Sequence, residues 1–262
     1  MCYDVNVAVK IEAISAYFGG VQVPAQLTLD MDTGVHVQAQ SYKKCPVITM
    51  DDGVLNLREF EWGVIADYMK TPEDIKKYRS LMCNAQSEKI LGDKRSFWYR
   101  IRTRRCLLPV YGFYEHREVK GWKNKIPYYI TLKDREMFAL PGIYAYAPVP
   151  DIETGEARGC FTIVTRAANS IMRHIHNGGS NPGRMPLLLP KDKEIKWLTS
   201  VGDDGTKDLI EYELPSHELF AYPVHTIRTT KARPDGGKKS DPYEWIGLPE
   251  PGHDLDEQQK LF

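Results

Sequence analysis

The chain carries no excess charge of either sign: Lys+Arg and Asp+Glu number 35 each across 262 residues. No global positive field therefore steers it onto nucleic acid, and any nucleic-acid site has to be a local patch. Long hydrophobic runs are also missing. No stretch approaches the ~18 apolar residues that a membrane span needs, and the start MCYDVNVAVKIEAISAYFGG lacks the basic and apolar regions of a secretion signal. These absences predict a cytoplasmic protein without a membrane partner. Cys2, Cys45, Cys83, Cys106 and Cys160 are odd in number, widely spaced and free of any C-x-x-C pair. That argues against a disulfide framework or a zinc site and suits a reducing compartment. Internal repeats and long low-complexity tracts are absent too.

What is present is ordinary globular material, 42% hydrophobic and 27% charged. The length is near the upper limit for one core. Residues 5–18 place Val5, Val9, Ile11, Ile14, Tyr17 and Phe18 at mixed helical spacing before Gly19-Gly20, which predicts an amphipathic helix with a glycine stop. Strand-like runs follow at VHVQAQ, PVITM, CLLPVYGFYE, PYYITL, MFALPGIYAYA, CFTIVTR, PLLL and FAYPVHTI. Helical patterns are fewer: PEDIKKYRSLM, RAANSIMRHI and DKEIKWLTSV. Many short strands in irregular order with interspersed helices predict an α+β fold with a mixed or barrel-like sheet, and no regular βαβ series. RTTKARPDGGKKSDP, 228–242, is the clearest loop. One domain is expected over residues 2–248, followed by a flexible polar tail, 249–262.

Chemistry enters at Cys2. Its side chain is small enough for Met1 to be removed, which would leave an α-amine and a thiol on one residue. The amine (typical pKa ~7.7–8.0) condenses with an aldehyde to an imine, and the thiol then closes a thiazolidine ring. Glu115 ends an apolar run, where partial desolvation raises a carboxyl pKa and suits it to shuttle protons. His176 lies between a helix and a strand and can exchange protons near neutrality, as can His174. Asn84 can orient an amine by hydrogen bonding, or serve as a cap or turn. In RSFWYRIRTRRC, Arg95, Arg100, Arg102, Arg104 and Arg105 alternate with Phe97, Trp98 and Tyr99. That is the composition of a single-strand platform, and equally of an edge strand with aromatics inward and arginines outward.

Taken together, MC at the start, EWG at 61–63, NAQSE at 84–88, RRCLLPVYGFYE at 104–115, FTIVTRAAN at 161–169 and RMP at 184–186 resemble, in order, the SRAP domains. These are abasic-site-processing proteins, also called SOS-response-associated peptidases. The resemblance implies a single domain with a mixed or antiparallel β-barrel-like core, peripheral helices and a positive groove for single-stranded DNA. It maps the family's catalytic cysteine onto Cys2, its amine-positioning asparagine onto Asn84, its glutamate onto Glu115 and its histidine onto His176. It implies a covalent, reversible thiazolidine crosslink to abasic sites in single-stranded DNA, with no cofactor or metal. Trp62, Arg95, Phe97, Arg104 and Arg184 are the expected DNA contacts, Trp62 being equally suited to the core.

The chain departs from the commoner pattern in four places. Tyr3-Asp4 stands for the frequent Gly-Arg, Gln86 for an arginine, and His116 for a tryptophan after Glu115. NGGSNPG separates His176 from Arg184, which leaves His174 as the fallback histidine. The final QQKLF fits a tail that docks in a bacterial sliding clamp through Gln258, Leu261 and Phe262. The alternatives to the crosslinking reading are a cysteine-dependent peptidase and a non-catalytic single-strand or clamp binder; a monomer is expected in each case.

Overall fold

The computed structural model describes residues 2–8, 10–25, 35–151, 155–200 and 202–253. The clamp-docking positions Gln258, Leu261 and Phe262 lie outside the described residues. No helix of the described chain is long and apolar enough to cross a membrane.

The elements run β1 (Asp4–Val7), α1 (Ile11–Phe18), β2 (Val35–Gln38), β3 (Lys44–Asp51), β4 (Val54–Trp62), α2 (Pro72–Tyr78), β5 (Asn84–Gln86), α3 (Ser87–Leu91) and α4 (Phe97–Arg100). Then come β6 (Arg105–Arg117), β7 (Ile126–Leu132), β8 (Phe138–Tyr146), β9 (Gly159–Ala167), α5 (Ser170–Ile175), β10 (Arg184–Pro186), α6 (Lys191–Thr199), α7 (Gly202–Glu211) and β11 (Leu219–Pro223). Among the described residues, eleven strands share one sheet. The expected α+β class is what the structure shows. Pairing runs in a closed circuit from β3 to β4, β9, β8, β6 and back to β3. All of these pairs are antiparallel except β4 with β9.

β6 is the spine. Its nearly continuous apolar sequence suits a strand buried on both faces, and it pairs with β1, β3, β7 and β8. Alternate side chains enter different cores. Cys106, Leu108, Val110 and Phe113 join the cluster that also holds Cys2, Val5 and Trp62. Leu107 joins a second cluster with Trp98, Ile101 and Trp197. Asn6 pairs with Gly112 but Val7 with Val110, so Tyr111 is an extra residue, a β-bulge that re-aims the strand. Gly112 is required there, because a Cβ would lie 2.4 Å from the Tyr129 ring.

Three expectations are corrected. The proposed helix over 5–18 is strand β1 followed by α1, since Asp4–Val7 gains more by pairing with β6 and β2 than by helical turns. α1 does end at Gly19, in the left-handed conformation at φ 75. Of PLLL only Pro186 is in a strand, β10. RSFWYRIRTRRC forms no edge strand: a short helix, α4, sinks Trp98 into the second core while Arg100 pairs with Asp67 at 2.6 Å and Arg102 with Asp203 at 2.9 Å. Arg105 is buried, donating to the Trp197 and Ser200 carbonyls and to Thr206. Two of the five arginines of the run are thus paired with carboxylates and a third is buried, while Arg95 and Arg104 stay exposed.

Trp62 is fully enclosed, stacked on Phe161 at 6.0 Å, and its Nε1 donates to the Cys83 carbonyl at 2.9 Å. Its ring thus offers no face to a ligand. Trp62→Ala is expected to cost about 3–5 kcal/mol of stability, read from the urea midpoint; a loss below about 1 kcal/mol, the range of exposed positions, would contradict this placement.

Candidate active site

The pairing of β1 with β6 sets Asp4 opposite Tyr114 and Val5 opposite Phe113. Continuing that register brings the residues before Asp4 alongside Glu115 and His116. Cys2 is fully enclosed, and Glu115 is 4% exposed, Asn84 5% and His176 7%. Asn84 arrives on β5, which pairs in parallel with β9. A cleft of about 320 Å³ opens here, lined among others by Tyr3, Asp4, Glu115, His116, His176 and Arg228. Among the described residues, Glu115 Oε1 and both amide atoms of the Asn84 side chain are buried without a hydrogen-bond partner. Buried polar atoms rarely stay unsatisfied, so the open Glu115 oxygen in the cleft marks a place where a ligand completes the bonding.

Burial controls the protonation states. It pushes the Glu115 carboxyl up to about 7 and the His176 imidazole down to about 4. His176 Nε2 approaches Glu115 Oε2 to 3.9 Å, a distance that by itself favours an ion pair. Desolvation of both groups outweighs that attraction, and the pair is neutral below about pH 7. The Cys2 thiol is raised well above its ordinary value by burial and then by the Glu115 charge. It is a thiol, not a thiolate, with Sγ 3.8 Å from the Asp4 carbonyl.

The NGGSNPG insertion does not part His176 from Arg184. Gly183 N–H donates to the His176 carbonyl at 2.7 Å, closing the loop at its base, and His176 Nδ1 lies 2.8 Å from the Arg184 carbonyl. The Arg184 backbone N–H also approaches Nδ1, at 3.2 Å, so the Arg184 backbone fixes that edge of the ring and turns Nε2 towards Glu115. The loop is pinned further out as well, since the Asn177 amide exchanges two hydrogen bonds with the Glu118 backbone. Gly178, Gly179, Ser180 and Asn181 form one wall of the cleft. His174 points elsewhere: a Cβ on Gly252 would meet its ring at 3.4 Å.

Of the expected site residues, Glu115 and His176 line this cleft, whereas Cys2, Asn84 and the expected DNA contacts do not. Arg184 grips Glu88 at 2.6 and 3.0 Å and the Thr165 carbonyl at 2.7 Å. Arg95 and Arg104 are exposed and Phe97 is half-buried near α4. Two groups that sequence reasoning missed do line it. Asp4 is buried, held by His36 at 2.8 Å and by Arg228 at 2.5 Å. Burial pushes the Asp4 carboxyl up, but the bonds from His36 and Arg228 outweigh it and hold it below the usual range. Position 4 thus carries an anion, and Arg228 supplies the cation at the cleft mouth.

The family described as SOS response associated peptidase (SRAP) matches residues 1–228. The chain is 32% identical over 194 residues to the abasic site processing protein YoqW of Bacillus subtilis (strain 168), covering 71% of this chain and 80% of that one. It is 25% identical over 192 residues to the abasic site processing protein HMCES of Xenopus tropicalis, covering 65% of this chain and 53% of that one. A crystal structure of a Bacteroides thetaiotaomicron protein superposes with a TM-score of 0.73 at 29% identity, over 92% of this chain and 97% of that one. A Bordetella bronchiseptica protein shares the fold, with a TM-score of 0.67 at 19% identity over 86% and 100% of the two chains.

The raised Glu115 carboxyl has a stability consequence with a definite sign. The folded chain keeps this proton up to about pH 7 while an unfolded carboxyl releases it near 4.5, so wild-type stability falls as pH rises through that window. Glu115→Gln removes the dependence. From pH 4.5 to about 8, its stability relative to wild type is expected to rise by about 3 kcal/mol. Urea midpoints across that range test it, and parallel curves for the two proteins would contradict it.

Proposed function

Since the chain belongs to the SRAP family, we propose that it captures abasic sites in single-stranded DNA as a reversible thiazolidine on Cys2, formed once Met1 has been removed. The observation that carries this reading is the buried carboxyl of Glu115, which faces His176 in the cleft, leaves Oε1 without a hydrogen-bond partner and acts electrostatically on the Cys2 thiol.

The ring-opened deoxyribose presents its C1′ aldehyde to the Cys2 amine. Nitrogen adds to carbon and gives a carbinolamine; protonated Glu115 then donates to the departing hydroxyl, and water leaves with formation of the protonated imine, which keeps the nitrogen's remaining hydrogen. The thiol adds to the imine carbon and its proton passes to the Glu115 carboxylate; as the C–S bond closes the ring, the C=N electron pair returns to nitrogen, which ends as a neutral secondary amine. A carboxyl pKa of about 7 suits both donation and acceptance near neutrality. Asn84 completes its side-chain bonding by holding the amine, and neutral His176 assists sugar opening and reversal. The thiazolidine shields the lesion from strand cleavage.

The peptidase reading needs Cys2 as an activated thiolate, a state reached where neighbouring cations or a base lower the thiol pKa. Here burial raises it. A thiol that stays protonated until an imine is in place suits the second step of ring formation, not the first attack on an amide.

The test is incubation of Met1-free protein with an oligonucleotide carrying one abasic site, followed by denaturing electrophoresis. Wild type is expected to give a heat-stable adduct and Cys2→Ala none. Cys2→Ser is expected to give only an imine that needs borohydride to trap it. Glu115→Gln is expected to slow adduct formation by about 10²–10⁴-fold. No adduct from wild type with a verified free Cys2 amine would overturn the proposal.

A further inference from the structure

The insertion NGGSNPG begins at Asn177, directly after His176. His176 caps α5 and leaves helical geometry at ψ 63. Asn177 is exposed, yet its side-chain amide makes two bonds to another element. The Glu118 N–H donates to Asn177 Oδ1 at 2.8 Å, and Asn177 Nδ2 donates to the Glu118 carbonyl at 2.9 Å. One primary amide thereby takes both backbone groups of one residue, the exchange that an opposed residue makes in an antiparallel strand pair.

The position of this clasp gives it a consequence. Glu118 follows the end of β6, three residues after Glu115, and Asn177 follows His176. The two bonds therefore close a ring of contacts whose other link is the 3.9 Å approach of His176 Nε2 to Glu115 Oε2. On its far side the His176 ring is held by the Arg184 backbone, and its carbonyl by the Gly183 N–H. Those bonds tie His176 to β10, whereas the clasp ties it to the strand that carries Glu115. The Glu118 side chain lies across the loop backbone, since a Cβ on Gly178 would be 2.1 Å from its carboxyl carbon, and it pairs with Lys125 at 2.6 Å.

Other groups face the pair from every side. Asp4 and Arg228 act on Glu115, Lys125 and His116 act on His176, and the terminal amine acts on both. The Cys2 thiol and the Tyr3 hydroxyl are in turn influenced by Glu115. Burial is the largest influence on Glu115 and on His176 alike. Left in water, a carboxyl and an imidazole would both be charged between about pH 4.3 and 6.5. The neutral pair thus depends on exclusion of water, and the loop that the clasp holds is a wall of the cleft.

We propose that Asn177 is a positioning residue for the crosslinking reaction: its clasp on Glu118 sets His176 against Glu115 and keeps the loop closed over both. The residues added before Arg184 bring their own fastener to the strand that carries the proton shuttle. The inference rests on the crosslinking reading above.

Two readouts on Asn177→Ala test it, with a urea midpoint to verify folding. The first needs no DNA: the His176 ring is titrated by NMR. Wild type is expected to stay neutral down to about pH 4. In N177A, water reaches the pair and the ring is expected to take its proton at higher pH. The second readout is the rate of adduct formation against pH. A Glu115 carboxyl open to water gives up its proton at lower pH, so the falling alkaline limb is expected to move down by about one pH unit. That is about a tenfold loss at pH 8 and little loss at pH 5. A merely structural Asn177 would lower the urea midpoint and leave the titration and the shape of the profile at wild type; that result, or an equal loss of rate at every pH, overturns the proposal. If wild type crosslinks while both readouts of N177A match it, the clasp alone fails. If the titration moves in N177A while wild type never crosslinks, the crosslinking reading fails and the positioning of His176 stands.

Discussion

The antiparallel pairing of β1 with β6 governs the chemistry of this protein. Few backbone contacts, Asp4 with Tyr114 through Val7 with Val110, draw the start of the chain into the interior. Cys2 is then fully enclosed and Glu115 nearly so. Burial removes the water that would stabilise a thiolate or a carboxylate, and both groups are held towards their protonated forms. A surface terminus of the same sequence would have an ordinary thiol and an ordinary carboxyl, and neither could manage protons in this way near neutrality.

The same strand imposes a cost two residues later. Burying Asp4 removes a charge from water, which is tolerable only when it is paired and hydrogen-bonded. His36 on β2 and Arg228 beyond β11 do this from opposite sides. The anion that replaces the family's frequent arginine therefore recruits two cations, Arg228 directly and Lys239 through His36. Cations thus stand at the cleft mouth although position 4 itself is an anion.

Much of the fold was legible because β6, β7, β8 and β9 are long, apolar and bounded by turn residues, which is the strongest pattern a strand can show. β1 was not, because Val5 and Val7 alternate for only four residues and merge into the helical spacing of α1. β4, VLNLREFEW, carries no clear strand pattern because charged residues fall at its half-buried positions. RSFWYRIRTRRC was ambiguous for a different reason: its partners Asp67 and Asp203 are 33 and 101 residues away. Cys2, Asn84, Glu115 and His176 were visible as chemistry-bearing residues in family order, but their protonation depends on packing that no motif encodes. The insertion before Arg184 looked disruptive in sequence, since nothing local foretells that Gly183 returns to the His176 carbonyl. The Asp4–Arg228 pair spans 224 residues and carries no sequence signature at all.

Peptide mapping of the DNA adduct by tandem mass spectrometry is the most direct measurement of whether Cys2 reacts as an aminothiol. The expected result is an N-terminal peptide carrying the sugar remnant less one water, with a Cys2 sulfur that resists alkylation and an α-amine that resists acylation. A remnant on a lysine, or on Cys2 with its thiol still free to alkylate, would contradict ring formation and with it the role assigned to the buried Glu115.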